Sequence, residues 1–271
     1  MKTLASAGFD GHGFLLSLPW TVGAIVALLL VTLGCALKAG RHNVIDTAWG
    51  LGFCVVAVTT FLTSPSDGSG VRRYVLLVLV LAWGLRLAWH IGRRSLGHGE
   101  DPRYAQLLDK AEGNRTLYAL KVVYLGQGAL VFFVSLPVQV GMFEHGRFFV
   151  LGWLGVVVWA VGLYFEATGD KQMATFRSDP ENKGKLIDVG LWRYTRHPNY
   201  FGDACVWTGI FLVAAERWPG ALTVLSLVVM IYLLAFGSGK RVLERSMQKR
   251  PGYQDYMRRT SGFVPLPPKK P

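Results

Sequence analysis

Phe14-Leu-Leu-Ser-Leu-Pro-Trp-Thr-Val-Gly-Ala-Ile-Val-Ala-Leu-Leu-Leu-Val-Thr-Leu-Gly-Cys-Ala-Leu37 runs without a charged residue. About 20 apolar residues suffice for a helix to cross a bilayer core. The run is continuous rather than alternating, so it reads as a helix and not a strand. Five more runs of spanning length follow, at residues 44–62, 74–91, 117–142, 148–168 and 219–236. A shorter one, 204–215, becomes a seventh span if its helix starts at Pro198 and absorbs Asn199 and Asp203. The expected fold is all-α: a polytopic seven-helix membrane bundle with short helices in the C-terminal tail, forming one membrane domain over 1–271. Within it, 1–116 reads as a lipid-substrate half. Residues 117–271 read as a cofactor half, with its polar loop at 169–197 and its tail at 240–271.

Composition agrees, with 51% hydrophobic residues and 9 Trp in 271. The net charge of +12 is unevenly spread. With the N-terminus outside, 22 Lys and Arg fall on the inner side, and only Lys2, Arg72, Arg73, Arg147 and Arg217 on the outer. The positive-inside rule then puts the C-terminus in the cytoplasm. This placement also accounts for the basic excess without nucleic acid. The first span is too long and too weakly charged at its start for a cleaved signal peptide. Cys35, Cys54 and Cys205 fall inside apolar runs and read as small core residues.

Three connections are long. Residues 63–72 form a polar Gly/Ser-rich loop expected outside, and 92–116 carries Gly97-His-Gly-Glu-Asp-Pro-Arg-Tyr104 and a short helix near 104–111. The third, 169–195, is a mixed-charge inner loop. The tail from Lys240 has helical texture to Arg250, breaks at Pro251-Gly252, and resumes at 253–259. No H-E-x-x-H, His/Cys ligand set, P-loop or Rossmann fingerprint is present, so a metal site is not expected. Gly237-Ser-Gly-Lys-Arg-Val242 only imitates a glycine-rich start. No inverted repeat of the kind found in transporters is visible.

Polar residues at the ends of the spans carry the functional signal, because ionisable groups at membrane depth are costly. Gly190-Leu-Trp-Arg-Tyr-Thr-Arg-His-Pro-Asn-Tyr-Phe-Gly-Asp203 gathers Arg193, Arg196, His197, Asn199, Tyr200 and Asp203 at the mouth of an apolar segment. Free N–H groups at a helix start beside Arg196 and His197 attract phosphate or carboxylate. A basic stop against lipid headgroups is the plainer reading, but it does not require Asn199 and Asp203 one helical turn apart. Glu166, Asp170 and Arg177 share a face if the fifth span continues past Thr168. They form either a salt-bridging helix end or a site in which carboxylates hold hydroxyls and Arg177 meets a phosphate. Asp46, Arg86 and His90 form either an acid/base cluster or a structural Asp46–Arg86 ion pair.

Over about 43–265 the chain resembles the bacterial branch of the steroid 5α-reductase family, the membrane proteins of domain of unknown function 1295. Val44-Ile-Asp-Thr-Ala-Trp-Gly50, Trp83-Gly-Leu-Arg86, Gly99-Glu-Asp-Pro-Arg-Tyr104 and the 190–203 stretch carry the likeness. Arg250-Pro-Gly-Tyr-Gln-Asp-Tyr256 and Thr260-Ser-Gly-Phe263 add to it. The resemblance implies a bacterial inner-membrane enzyme that uses NADPH to reduce a conjugated carbon–carbon double bond in a lipid or steroid-like substrate. It implies a cofactor site of Asp170, Arg177, Asn199 and Asp203, the last replacing the family's Glu, with Glu166 where the steroid enzymes have Asn. The family's C-terminal Arg, His and Tyr cofactor contacts have no counterparts at matching intervals here, and Lys240, Arg241 and Glu244 are the nearby substitutes. Asp46 falls near the glutamate, and His90 near the tyrosine, that contact the steroid enone. Membrane lipids are the other expected partners; neither nucleic acid nor a protein partner is indicated. Two alternatives remain. One is an S-adenosylmethionine-dependent methyltransferase similar to the isoprenylcysteine carboxyl methyltransferases, which share Arg-His-Pro-x-Tyr-x-Gly. The other is a lipid-binding membrane protein without catalysis.

Overall fold

The computed structural model describes residues 8–65, 70–97, 99–237 and 239–269, with the side chains of Val242 and Ser246 set aside. Lys2, the middle of the 63–72 connection, His98, Ser238 and Lys270 lie outside the described residues. Among the described residues the protein is helical, and strand-like pairing is limited to isolated bridges at Phe9–Glu144 and Thr195–Ser261. The long helices are α1 (Gly11–Ala39), α2 (Val44–Thr63) and α3 (Gly70–Ser95). The short α4 (Pro102–Leu108) precedes a broken helix: α5 (Arg115–Ala119), a π segment (Leu120–Tyr124), α6 (Leu125–Val134) and α7 (Leu136–Gly141). Then come α8 (Val150–Ser178), α9 (Pro198–Ala214), α10 (Trp218–Ala221), α11 (Val224–Ala235), α12 (Lys240–Met247) and α13 (Tyr253–Arg259). Among the described residues, six helices are long and apolar enough to cross a membrane: α1, α2, α3, α5–α6, α8 and α10–α11. The chain is therefore an integral membrane protein.

The fourth apolar run departs from the expected single helix over 117–142. Pro137 has no N–H for the carbonyl of Phe133, and its ring crowds that carbonyl, so the helix stops at Val134 and restarts as α7. Side chains take over the exposed acceptors. Ser135 Oγ donates to Phe132 O at 3.0 Å, and Gln139 Nε2 donates to Phe132 O at 2.9 Å and to Ser135 Oγ at 2.8 Å. Such satisfaction is obligatory where no water reaches the backbone.

The chain divides into two compact units, Met1–Gly152 with Ile210–Ser226, and Trp153–Gly209 with Leu227–Pro271. In the first, α2 and α3 press backbone to backbone. A Cβ on Gly50 would lie 2.5 Å from Gly84 O, and one on Gly84 would lie 2.7 Å from Gly50 O. Phe53 and Trp83 seal this crossing. Lipid tails supply no hydrophobic drive between helices, so close small-residue contact is what holds such pairs.

The second unit repeats the device with a seven-residue period. Gly155 and Trp159 meet Gly209, Gly162 meets Gly202, and Gly169 meets Pro198. A Cβ on Gly202 would sit 2.5 Å from both Glu166 N and Gly162 O. α8 and α9 are thus antiparallel and register-locked. The segment after Gly190 is pinned from two sides. Trp192 Nε1 donates to Gly169 O at 3.1 Å and Leu191 N to Gln172 Oε1 at 3.0 Å, both on α8. From the tail, Tyr256 OH donates to Trp192 O at 2.6 Å, while Thr195 Oγ1 donates to Phe263 O at 2.8 Å.

Candidate functional site

Polar side chains collect in each unit, and each collection follows from the helix contacts just described. In the second unit, the Gly162–Gly202 and Gly169–Pro198 contacts set Glu166 and Asp170 on α8 against the first two turns of α9. Those turns carry Asn199 and Asp203, one turn apart. Glu166, Asp170 and Asp203 are buried, and Asn199 is half-buried. Four of the expected cofactor residues therefore share one helix crossing. α8 does continue past Thr168, as their spacing requires.

His197 lies just before α9, buried and stacked on Tyr200 with ring centroids 5.4 Å apart. Its Nε2 is 3.3 Å from Glu244 Oε1. Burial holds the imidazole below its ordinary range against the opposing pull of Glu244. Burial also works to raise Glu244, but hydrogen bonds from His197 and Arg196 outweigh it and keep this carboxyl below its usual range.

Arg196 departs from the expected phosphate role. Its Nε and Nη2 donate to Glu244 Oε1 at 2.9 and 2.8 Å, and its Nη1 to Met257 O and Thr260 O at 3.2 and 2.6 Å. Each nitrogen of the guanidinium is committed to the protein, so Arg196 fastens the tail. Glu244 likewise acts here as the anchor for Arg196 and His197. Arg193 and Arg241 are exposed, on a 3₁₀ turn and on α12.

Arg177 stands two turns beyond Asp170, at the end of α8, and opens into a cavity of about 380 Å³. Met173, Phe176, Leu186, Ile187 and Met247 give this cavity an apolar floor. Arg177, Lys183, Lys185 and Arg250 put four cations on its lining against the single acid Asp179. That arrangement suits a ligand with a flat apolar part and phosphate groups.

In the first unit, Asp46 sits in the first turn of α2. The Thr47–Gly92 and Gly50–Ala88 contacts put it at the same level of the α2–α3 pair as His90. The expected Asp46–Arg86 ion pair does not form. Instead Tyr104 OH donates to Asp46 Oδ1 at 2.5 Å, and Arg103 Nη2 lies 3.4 Å from Asp46 Oδ2. The connection before α4 makes this possible. Glu100 accepts from the N–H groups of His42 (2.5 Å), Asn43 (2.9 Å) and Asp101 (3.1 Å), which fixes 99–101 beside the start of α2. Asp101 then caps α4 by accepting from Arg103 N at 2.8 Å and holds the Arg103 side chain at 2.9 Å. Tyr104 is thereby swung under Asp46. The bond from Arg103 holds Asp101 below the usual carboxylate range. Burial, then the charge of Asp46, pushes the Tyr104 phenol well up, so it stays a hydrogen-bond donor. The sequence signal for this arrangement was four polar or charged residues, Glu100, Asp101, Arg103 and Tyr104, within five positions of a glycine-broken loop.

The class defined by this architecture is an all-helical integral membrane protein with polar clusters at the ends of its helices. The chain matches the family described as protein of unknown function (DUF1295) over residues 33–260, and it belongs to that family. The matched region includes every candidate residue from Asp46 to Glu244. Searches of curated proteins and of solved structures found no significant match.

Proposed function

We propose that this protein is an NADPH-dependent reductase of a conjugated carbon–carbon double bond in a lipid or steroid-like substrate, related to the steroid 5α-reductases. The observation that carries the reading is the α8–α9 crossing, which collects Glu166, Asp170, Asn199 and Asp203, together with the cationic cavity at Arg177 on the same helix. Buried carboxylates and an amide suit ribose hydroxyls and a carboxamide; four cations over an apolar floor suit phosphates beside a base. The donor set therefore fits a phosphorylated dinucleotide. When bound, that group supplies the hydride.

The chain's own residues would do the rest. The α8–α9 pair orients and shields, while Asp46 or His90 gives a proton to the carbonyl oxygen of the substrate as charge develops there. Tyr104 and Arg103 fix the position of the Asp46 carboxyl. In this reading α9 is a seventh crossing, the C-terminus is cytoplasmic, and the protein resides in a bacterial inner membrane. Support for the alternation comes from one end of the first unit, where the connections at 8–10, 143–149 and 215–220 are hydrogen-bonded together.

Purified protein should bind NADPH saturably, and Arg177→Ala should weaken binding by roughly ten- to a hundredfold, as for loss of one charge-assisted bond. Added salt should weaken it further. Tight binding of S-adenosylmethionine with none of NADPH would replace this reading by the methyltransferase; binding of neither, with lipid retained, would favour a non-enzymatic role.

A further inference from the structure

The most deeply buried charges of the first unit belong to no part of the proposed site. Arg72, in the first turn of α3, and Glu144, between α7 and α8, are both fully buried, and the side chain of Glu216 is 3% exposed. Arg72 Nη2 donates to Glu216 Oε2 at 2.9 Å and to Arg147 O at 3.4 Å. Glu216 Oε1 accepts from the N–H groups of Phe149 and Gly152 at 2.7 and 3.0 Å. Glu216 is therefore fully served.

Glu144 is not. Its Oε1 accepts from Gly220 N at 2.7 Å, but Oε2 has no hydrogen-bond partner and lies 3.7 Å from Arg72 Nη1. Arg72 Nη1 and Nε and Arg217 Nε are likewise buried without hydrogen bonds. Arg72 is shared between two carboxylates, and Glu216 holds the better geometry. Arg217, the second cation near Glu144, makes no hydrogen bond to it, so in hydrogen-bonding terms Glu144 is the surplus acid.

Its position gives that surplus mechanical consequence. The strand-like bridge at Phe9–Glu144 ties the N-terminal segment to the 143–149 connection, with Asp10 N donating to Phe143 O (3.0 Å) and His145 N to Gly8 O (2.9 Å). Through Gly220 the same residue holds the start of α10. The charged groups acting on the Glu144 carboxyl are Arg72 from α3 and Glu216 and Arg217 from the connection before α10, while Asp10, His145 and Arg147 lie on the neighbouring backbone.

We propose that Glu144 is a proton-operated clasp: with a proton on its carboxyl, the N-terminal segment, the 143–149 connection and the start of α10 are held together, and without it the uncompensated charge loosens them. A buried ion without a full partner is costly, and the carboxyl escapes that cost by taking a proton from solvent. Burial is the largest influence on Glu144 and pushes its carboxyl up to about 7, against the Gly220 N–H and Arg72, which pull it down. A raised folded value means that the stabilisation is complete below the unfolded value, about 4.3, and is lost as pH rises through about 7.

The test is hydrogen exchange of the full chain in detergent or nanodiscs, corrected for the intrinsic rate, read at Asp10, His145 and Gly220. As pH rises from about 4.3 to about 7 these amides should exchange faster by up to about tenfold per pH unit, the limit for release of one proton, and the slope should flatten above that. Glu144→Gln, which keeps an acceptor for Gly220, should stay protected and lose the pH slope. The protonated-carboxyl infrared stretch of the wild type should disappear as pH rises through about 7, a readout that survives if Glu144→Gln fails to fold. Equal slopes in wild type and Glu144→Gln, or a wild type without a titrating carboxyl band near neutral pH, would overturn the clasp.

Discussion

The clasp in the first unit and the tail fastening in the second are built from the same parts and lean opposite ways. Each centres on an Arg–Glu pair: Arg72–Glu216 at 2.9 Å and Arg196–Glu244 at 2.8 Å. Each pair carries one further titratable group, and that group differs. In the clasp it is an acid, Glu144, raised by burial; at the tail it is a base, His197, lowered by burial. Desolvation favours the neutral form of both. Acid should therefore tighten one cluster and loosen the other. The ion pair fixes the geometry, and the extra group sets the response to pH.

The largest effect expected from this contrast is at Arg72. Replacing it with Met leaves Glu216 and Glu144 buried without their cation, and breaking a fully buried pair in this way costs about 3–5 kcal/mol. Thermal unfolding in detergent should show a large drop in the midpoint. A midpoint within error of the wild type would mean that water reaches the cluster and that the contrast rests on nothing.

Arg196→Leu should cost less, roughly 1.5–3 kcal/mol, because its partners are slightly exposed and part of the loss is hydrogen bonding to a single carboxylate. The damage should be local. Limited proteolysis should cut within 240–266 at a protease level that leaves the wild type whole, since Arg196 joins α12 through Glu244 to Met257 O and Thr260 O. Cleavage confined to other segments would remove Arg196 from the tail and return it to the phosphate role expected from sequence.

That correction shows where the sequence was readable. Apolar runs specify helices because a bilayer requires length and leaves little choice, and all six spanning runs correspond to spanning helices. The Glu166–Asp170 and Asn199–Asp203 spacings were legible for a related reason: a helix face repeats locally. The pairing between those faces was not, because it depends on Gly162 meeting Gly202 across 40 positions. Arg196 was misread because its partner lies 48 residues away, on a helix whose placement no local pattern fixes. Asp46 was expected beside Arg86 on the neighbouring helix. Its actual partner, Tyr104, arrives only because Glu100 folds its loop onto the start of α2. The Pro137 break was visible as a residue type, but its outcome depended on Ser135 and Gln139 taking up the neighbouring carbonyl of Phe132.

The smallest expected effect is also the most discriminating. His197 is buried beside Glu244 and stacked on Tyr200, with its imidazole held below the ordinary range, chiefly by burial. A depressed folded value means that the neutral ring contributes stability above the unfolded value, about 6.5, and that this is lost as pH falls below it. Glu244, also depressed, adds a similar loss only at the lower pH where unfolded carboxylates titrate. Lowering the pH from about 7.5 to about 5.5 should therefore speed corrected amide exchange at Arg196, Thr260 and Leu266, whose N–H groups tie the tail together. Over the same interval the amides of Asp10, His145 and Gly220 should slow. His197→Asn should flatten the first slope and leave the second unchanged. If both sets of amides move in the same direction in the wild type, burial of the extra group does not set the response, and the two clusters are not mirror cases.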